Sequence, residues 1–128
     1  MTANAPYDSS CDAGCPVRRT AEMIGHKWST LIVRDLLTGR KRYSQLERSL
    51  TGISPKVLSE RLQELEANRL VTRTVYPTVP PTTDYELTDL GKSLEGVIRA
   101  MYEFGLLPRE SGAGPAMETP ASAAPKNV

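Results

Sequence analysis

Two cysteines, one histidine and a set of basic and amide side chains carry the chemistry that this 128-residue chain offers. Cys15 stands before Pro16, a residue favoured at the first position of a helix, and Arg18 and Arg19 follow within the first turn. A helix N-terminus flanked by cations is the setting in which cysteines react, so Cys15 is the candidate sensor of oxidants or electrophiles. The bland alternative is a small buried residue. Cys11, four residues upstream, is placed to resolve an oxidised Cys15 within one chain or between two. Zinc is the rival use of both thiols, but they supply two ligands and His26 a third, short of the four of a structural site. No metal or other cofactor is expected. With no second histidine, no phosphate-cradling glycine loop and no nucleophile, base and orienter together, the chain does not read as an enzyme. A thiol redox enzyme would use such a cysteine, yet would not need the elements described below.

The second set of residues suits a polyanion. Arg40-Lys41-Arg42-Tyr43 is a basic run suited to phosphate contacts that position without reading sequence. Ser54-Pro55 opens a helix whose N-terminal N–H groups favour phosphate and on which Ser54 is itself a candidate DNA contact; Lys56 can reach a guanine edge or a phosphate, Ser59 and Gln63 can hydrogen-bond bases, and Glu60 can accept from cytosine. Arg73 is a further, weaker candidate. A solvated charge run and an ordinary amphipathic surface helix are the competing readings. Arg61 lies beside the buried stripe, where DNA or an ion pair with Glu47 or Glu64 would use it. Charge distribution favours the polyanion: residues 18–73 carry twelve Lys/Arg against six Asp/Glu, a balance of +6 hidden inside a whole-chain charge of +1.

These residues need elements to hold them. Val17, Ala21 and Ile24 give a first helix after Pro16, ended by Gly25. Trp28, Leu31, Ile32 and Leu36 give a second from Lys27 to Thr38, with Trp28 in the core. Ser44-x-x-Glu47 has capping-box spacing and opens a short helix with Leu46 and Leu50 inward. Thr51-Gly52-Ile53 turns the chain into a helix from Pro55 to about Asn68, with Leu58, Leu62 and Leu65 buried. Two short helices joined in this way make a helix-turn-helix. Val71 to Tyr76 reads as a strand, Pro77 to Thr83 as a loop and Asp84 to Leu87 as the return strand. Thr88 then caps one long helix to about Gly105, whose stripe of Leu94, Val97, Ile98, Met101 and Tyr102 exceeds what so small a domain can cover. Together with Val17 and Ala21 it is expected to pair with a second subunit.

The expected class is therefore mainly α (α+β), a winged helix-turn-helix with a two-stranded wing and dimerisation helices at both ends. A single domain spans 15–107, preceded by a flexible segment, 1–14, and followed by a proline- and alanine-rich tail, 108–128, too poor in apolar residues to offset ordering entropy. At 39% hydrophobic content and a mean hydropathy of −0.36, no apolar run approaches the about 18 residues that span a bilayer. The N-terminus has no basic, then apolar, leader pattern. A cytoplasmic, nucleoid-associated protein with no membrane partner is expected.

Cys15-Pro16-Val17, Ile24-Gly25-His26-Lys27-Trp28, Gly52-Ile53-Ser54-Pro55-Lys56-Val57-Leu58-Ser59, Val75-Tyr76-Pro77 with Pro80-Pro81, and Tyr85-x-Leu87-Thr88-x-Leu90-Gly91 resemble the HxlR family of winged helix-turn-helix regulators, related to the MarR group. The resemblance covers about Cys15 to Leu107. It implies a homodimer on a pseudo-palindromic double-stranded operator, with first and last helices at the interface, and for several members an oxidant- or quinone-sensing cysteine at the position of Cys15. The chain departs from the pattern at Thr82-Thr83, where many members carry Arg or Lys, and in having Cys11 in place of a second cysteine deeper in the chain. A non-covalent effector in the interhelical crevice, or a pure dimerisation module, are the other readings.

Overall fold

The computed structural model describes residues 14–109, so the expectations for the flexible N-terminal segment and the tail lie, apart from residues 14, 108 and 109, outside the described residues. The order of elements is α1 (Pro16–Ile24), α2 (Lys27–Leu36), β1 (Lys41–Arg42), α3 (Tyr43–Ser49), α4 (Pro55–Ala67), β2 (Val71–Tyr76), β3 (Thr82–Leu87), α5 (Asp89–Lys92) and α6 (Glu95–Leu106). This is a mainly α winged helix-turn-helix, with a small antiparallel sheet.

Local chemistry sets most boundaries. Extended backbone at Cys15 leads into Pro16, and the His26 Nδ1 accepts from the Trp28 N–H at 3.1 Å to cap α2. The turn between α3 and α4 needs Gly52, whose φ of +95° favours glycine. At its other end α4 stops in a Schellman motif: Arg69, at φ +62°, donates its N–H to Glu66 O, and Leu70 donates to Leu65 O at 3.0 Å. An arginine is an unusual occupant of that left-handed position, which is why residue type alone does not announce the motif.

The core forms where α4 lies against α2. Leu58, Leu62 and Leu65 meet Ile32, Val33 and Leu36, with Leu46 and Leu50 from the α3 region and Leu70, Val71, Tyr85 and Leu87 from the sheet side. Trp28 packs half-buried on this core, as expected, with Lys27 Nζ 4.7 Å from its ring centroid.

The two-stranded wing is present as β2 and β3, which pair from Val71↔Leu87 to Tyr76↔Thr82, and an unanticipated third strand, β1, extends the sheet in the order β1-β3-β2, with Lys41 opposite Tyr85 and Arg42 opposite Asp84. Two residues are too few for periodicity to reveal, and only β3 supplies their partners. Three element boundaries need correction besides. The return strand begins at Thr82, because Tyr76 on β2 is available to pair with it. The third helix starts at Tyr43 instead of after Ser44, since the Arg42 N–H donates to Gln45 Oε1 at 2.8 Å and the helix follows directly on β1. Finally, the last helix is two helices. Thr88 caps α5 by accepting from the Gly91 N–H at 3.0 Å while donating to Arg69 O at 2.7 Å, and Ser93 donates back to Leu90 O. These bonds anchor α5 to the start of the sheet and let α6 leave in a new direction.

Gly91 is the closest approach in this anchor: a Cβ added there would lie 2.2 Å from Leu70 O. Backbone must move to admit a methyl group. Gly91→Ala is expected to lower unfolding stability by about 1–3 kcal/mol in urea titration, the range for overpacking a dense site. An unchanged midpoint would show that α5 is not pinned in this way.

Candidate nucleic-acid interface

Burial of one edge of α4 decides which of its side chains stay outside. Lys56, Ser59, Glu60 and Gln63 are all exposed, on the face turned away from Leu58, Leu62 and Leu65. Ser54 holds the start of the helix by accepting from the Val57 N–H at 3.1 Å. Lys56 Nζ lies 3.5 Å from Glu60 Oε2 in an exposed pair, a weak contact that a competing base or phosphate can replace. Gln63 has no side-chain partner among the described residues. Tyr43, at the start of α3, reaches across: its hydroxyl donates to Pro55 O at 3.3 Å and lies 3.2 Å from Ser59 Oγ. It ties the two helices together where they would meet a ligand.

Arg61 takes the structural alternative, pairing with Glu64 at 3.0 Å with its side chain largely covered. The basic run is more engaged than a solvated charge run would be. Lys41 Nζ donates to Thr38 Oγ1 at 2.7 Å. Arg40 donates to Tyr76 Oη at 2.8 Å and pairs with Glu86 at 3.1 Å, and Arg42 Nε pairs with Asp84 at 3.1 Å. The hydrogen bond from Arg40 to the Glu86 carboxylate pushes the guanidinium above its usual pKa. Arg73 Nε lies 3.7 Å from Glu66 and faces Tyr85 across the ladder. Burial pushes the Tyr85 phenol up, with Arg73 pulling against it.

Asp84, Glu86 and Arg48 were not singled out from sequence. The two carboxylates reach Arg40 and Arg42 only through strand pairing across more than forty positions, and no local spacing signals that. Arg48 was legible only as one more charge on a short helix.

The expected dimer surface divides in two. Leu94 and Ile98 lean on their own chain's core instead of facing outward, because α6 lies against α2 along that edge. Val97, Met101 and Tyr102 are exposed, as are Val17, at 60% of its surface, Ala21, and Phe104, at 72%. Pro16, Val17, Thr20, Ala21, Ile24, Gly25, Thr30 and Met101 line an open, mostly apolar groove of about 480 Å³. Cys15 is half-buried at the N-cap of α1 beside this groove and is a free thiol. Cys11 lies outside the described residues. Among the described residues no three His, Cys, Asp or Glu side chains gather as metal ligands, and no helix is long and apolar enough to cross a membrane.

Two short helices with the second exposed along one face, followed by a hairpin, define a DNA-binding winged helix-turn-helix protein. Residues 23–111 match the HxlR-like helix-turn-helix family, and the chain belongs to that family of transcriptional regulators. Its sequence is 43% identical over 89 residues to the uncharacterized HTH-type transcriptional regulator YtcD of Bacillus subtilis (strain 168), covering 70% of this chain and 71% of the relative. Its fold resembles a MarR-family transcriptional regulator from Porphyromonas gingivalis W83 at a TM-score of 0.75, with 33% identity over 80% of this chain and all of the other. The redox regulator HypR in its oxidized form aligns at a TM-score of 0.69, with 38% identity over 75% of this chain and 99% of the other.

Because Ser54 fixes the first turn of α4, Ser54→Ala is expected to cost about 1 kcal/mol of stability, the usual worth of an N-cap side chain. Urea unfolding measures it, and a loss below about 0.3 kcal/mol would mean that Pro55 and the core define the helix start without the cap.

Proposed function

We propose that the chain acts as a homodimer on a pseudo-palindromic operator, with α4 of each subunit in a major groove, and that modification of Cys15 by an oxidant or electrophile changes operator affinity. The observation that carries the DNA mode is the outer face of α4: a capped helix whose inner edge is locked in the core presents Lys56, Ser59, Glu60 and Gln63 together. A helix of this size fits a major groove, and its N-terminal half is the part that reaches base edges. Lys41, Arg40, Arg42 and Tyr43 flank it as backbone contacts, with Arg73 at the foot of the wing. Pairing through the exposed apolar groups of α1 and α6, including Val17, Ala21, Val97, Met101 and Tyr102, covers surface that a monomer would leave in water. The protein would work in the cytoplasm on the nucleoid, as a repressor or an activator.

Thiol control is supported by the place of Cys15, at the N-terminus of the helix that borders the proposed interface, and by similarity to a protein described as a redox regulator. A disulfide between Cys15 and Cys11 would release two electrons and two protons to an oxidant of the diamide or quinone class. Strain or bulk at the start of α1 would alter the spacing of the two recognition helices. Losing one half-site removes the effective-concentration advantage of the other. The apolar groove supports a second reading, in which a non-covalent effector binds between the helices.

Footprinting on DNA selected by the protein from a random pool tests the arrangement: protected half-sites should lie about 10–10.5 bp apart or a multiple of that. Gln63→Ala should weaken binding to the selected sequence by about 1–3 kcal/mol while sparing random DNA, whereas Lys41→Ala should weaken both and lower the salt slope by about one. Equal losses on both DNAs for Gln63→Ala would remove it from the base readers.

For the switch, Cys15→Ser should bind the selected duplex as the parent does and ignore diamide, and Cys11→Ser should still be modified but form no disulfide between the two positions. A Cys15→Ser protein that responds to diamide like the parent would transfer the sensing role to Cys11, and a parent whose thiols do not react near neutral pH would leave the groove as the effector site.

A further inference from the structure

Between the foot of the wing and α3 lies an open pocket of about 370 Å³ lined by Arg40, Arg42, Ser44, Gln45, Arg48 and Asp84. Three guanidiniums face it, and one carboxylate stands among them. Asp84 is 8% exposed and lies within reach of two arginines, with Arg42 Nε 3.1 Å from Oδ1 and Arg40 Nη1 3.8 Å from Oδ2. The arginine side chains remain 44% and 48% exposed. Each guanidinium has five N–H donors in a planar fork, and Arg42 commits only its Nε to Asp84. Its terminal nitrogens, and the whole of Arg48, have no acceptor among the described residues.

We propose that this pocket seats one backbone phosphate of bound DNA and that Asp84 is a positioning residue that competes with that phosphate for Arg40 and Arg42. The inference rests on the DNA-binding reading above and adds to it a contact site and a built-in restraint. The pocket offers a tetrahedral anion Arg48 from the last turn of α3 and, from the N-terminal side of the same helix, the free ends of Arg42 and the hydroxyl of Ser44; α3 is the helix that crosses the DNA backbone in a helix-turn-helix. Asp84 does two opposing things. It orients the two arginines toward the opening, and it already satisfies part of their charge, so a phosphate gains less from them than from unpaired cations. Phosphate contacts are made on every sequence, so this restraint lowers affinity for all DNA alike and leaves discrimination to the outer face of α4. Glu86 acts in the same sense but on Arg40 alone, at 3.1 Å, and it does not line the pocket.

Binding of the full chain to a random-sequence duplex and to a duplex selected from a random pool, each across a salt series, tests this. Arg48→Ala should lose affinity for both and reduce the salt slope by about one. Lys92→Ala, which removes a cation on α5 outside the pocket, should change neither slope. Asp84→Asn should gain about three- to tenfold on both duplexes near 100 mM salt with a steeper slope, Glu86→Gln should gain less, and Asp84→Glu should resemble the parent. Thermal melting identifies an Asp84→Asn protein that fails to fold, and Glu86→Gln then decides the competition. An unchanged slope for Arg48→Ala, or loss of affinity in folded Asp84→Asn or in Glu86→Gln, would overturn the proposal. Titration of inorganic phosphate without DNA should leave the NMR signals of Arg48 unshifted at millimolar concentration; saturation there would make the pocket a free-anion site and equally overturn it. A parent protein that binds neither duplex at low salt would instead overturn the DNA-binding reading itself.

Discussion

Burial of the leucine edge of α4 is the constraint on which the other features depend. Leu58, Leu62 and Leu65 are 0%, 1% and 0% exposed, and burying a leucine fully is worth about 1.5–3 kcal/mol. A domain of this size has few such contributions, so the rotation of α4 about its own axis is fixed by them. Once that rotation is fixed, Lys56, Ser59, Glu60 and Gln63 have nowhere to be but outside, and the face proposed to read DNA is the remainder of the packing problem. α2 supplies the complementary surface through Ile32, Val33 and Leu36, and the α3 region closes one side with Leu46 and Leu50. The side chains proposed to recognise bases therefore sit on a helix anchored in the core instead of on a loop.

Electrostatics then couples the helix-turn-helix to the wing. The two-residue strand β1 lies between α2 and α3 and is hydrogen-bonded to β3, so the first helix of the motif is tied directly to the sheet. Arg40 and Arg42 add Asp84, Glu86 and Tyr76 to that union. Exposed ion pairs of this type contribute little to stability. Their effect lies in where they hold charge: the excess of cations in residues 18–73 is presented as guanidiniums anchored at one edge and open at the other.

The apolar surface tells a different story at the opposite end. α6 has no fully buried residue, and Leu94 with Ile98 supplies only its inner edge to the core, while Val97, Met101, Phe104, Leu106 and Leu107 stay exposed. Nothing among the described residues covers them. That imbalance, together with the open groove along α1, is what makes assembly with a second copy the economical account of the terminal helices.

Much of this was legible in the sequence because it rests on local rules. Helix starts at Pro16 and Ser54-Pro55, the Thr51-Gly52 turn, the leucine spacing of α4 and the β-branched run of β2 each depend on residues within one or two turns, and they were enough to give the winged helix-turn-helix and the outer face of α4. What the sequence could not give depends on pairing at a distance. β1 exists only because Tyr85 and Asp84 lie opposite Lys41 and Arg42; the helix expected to run from Thr88 to Gly105 breaks because Thr88 and Gly91 are held against Arg69 and Leu70; and Leu94 turns inward only because α6 meets α2. The same holds for charge: sequence shows twelve cations in one segment, but only the tertiary structure decides that Arg61 belongs to Glu64, that Arg42 belongs to Asp84, and that Arg48 is left facing an open pocket. Side-chain spacing fixes the faces of isolated elements, whereas partners far apart in the chain are chosen by the packing that buries those faces.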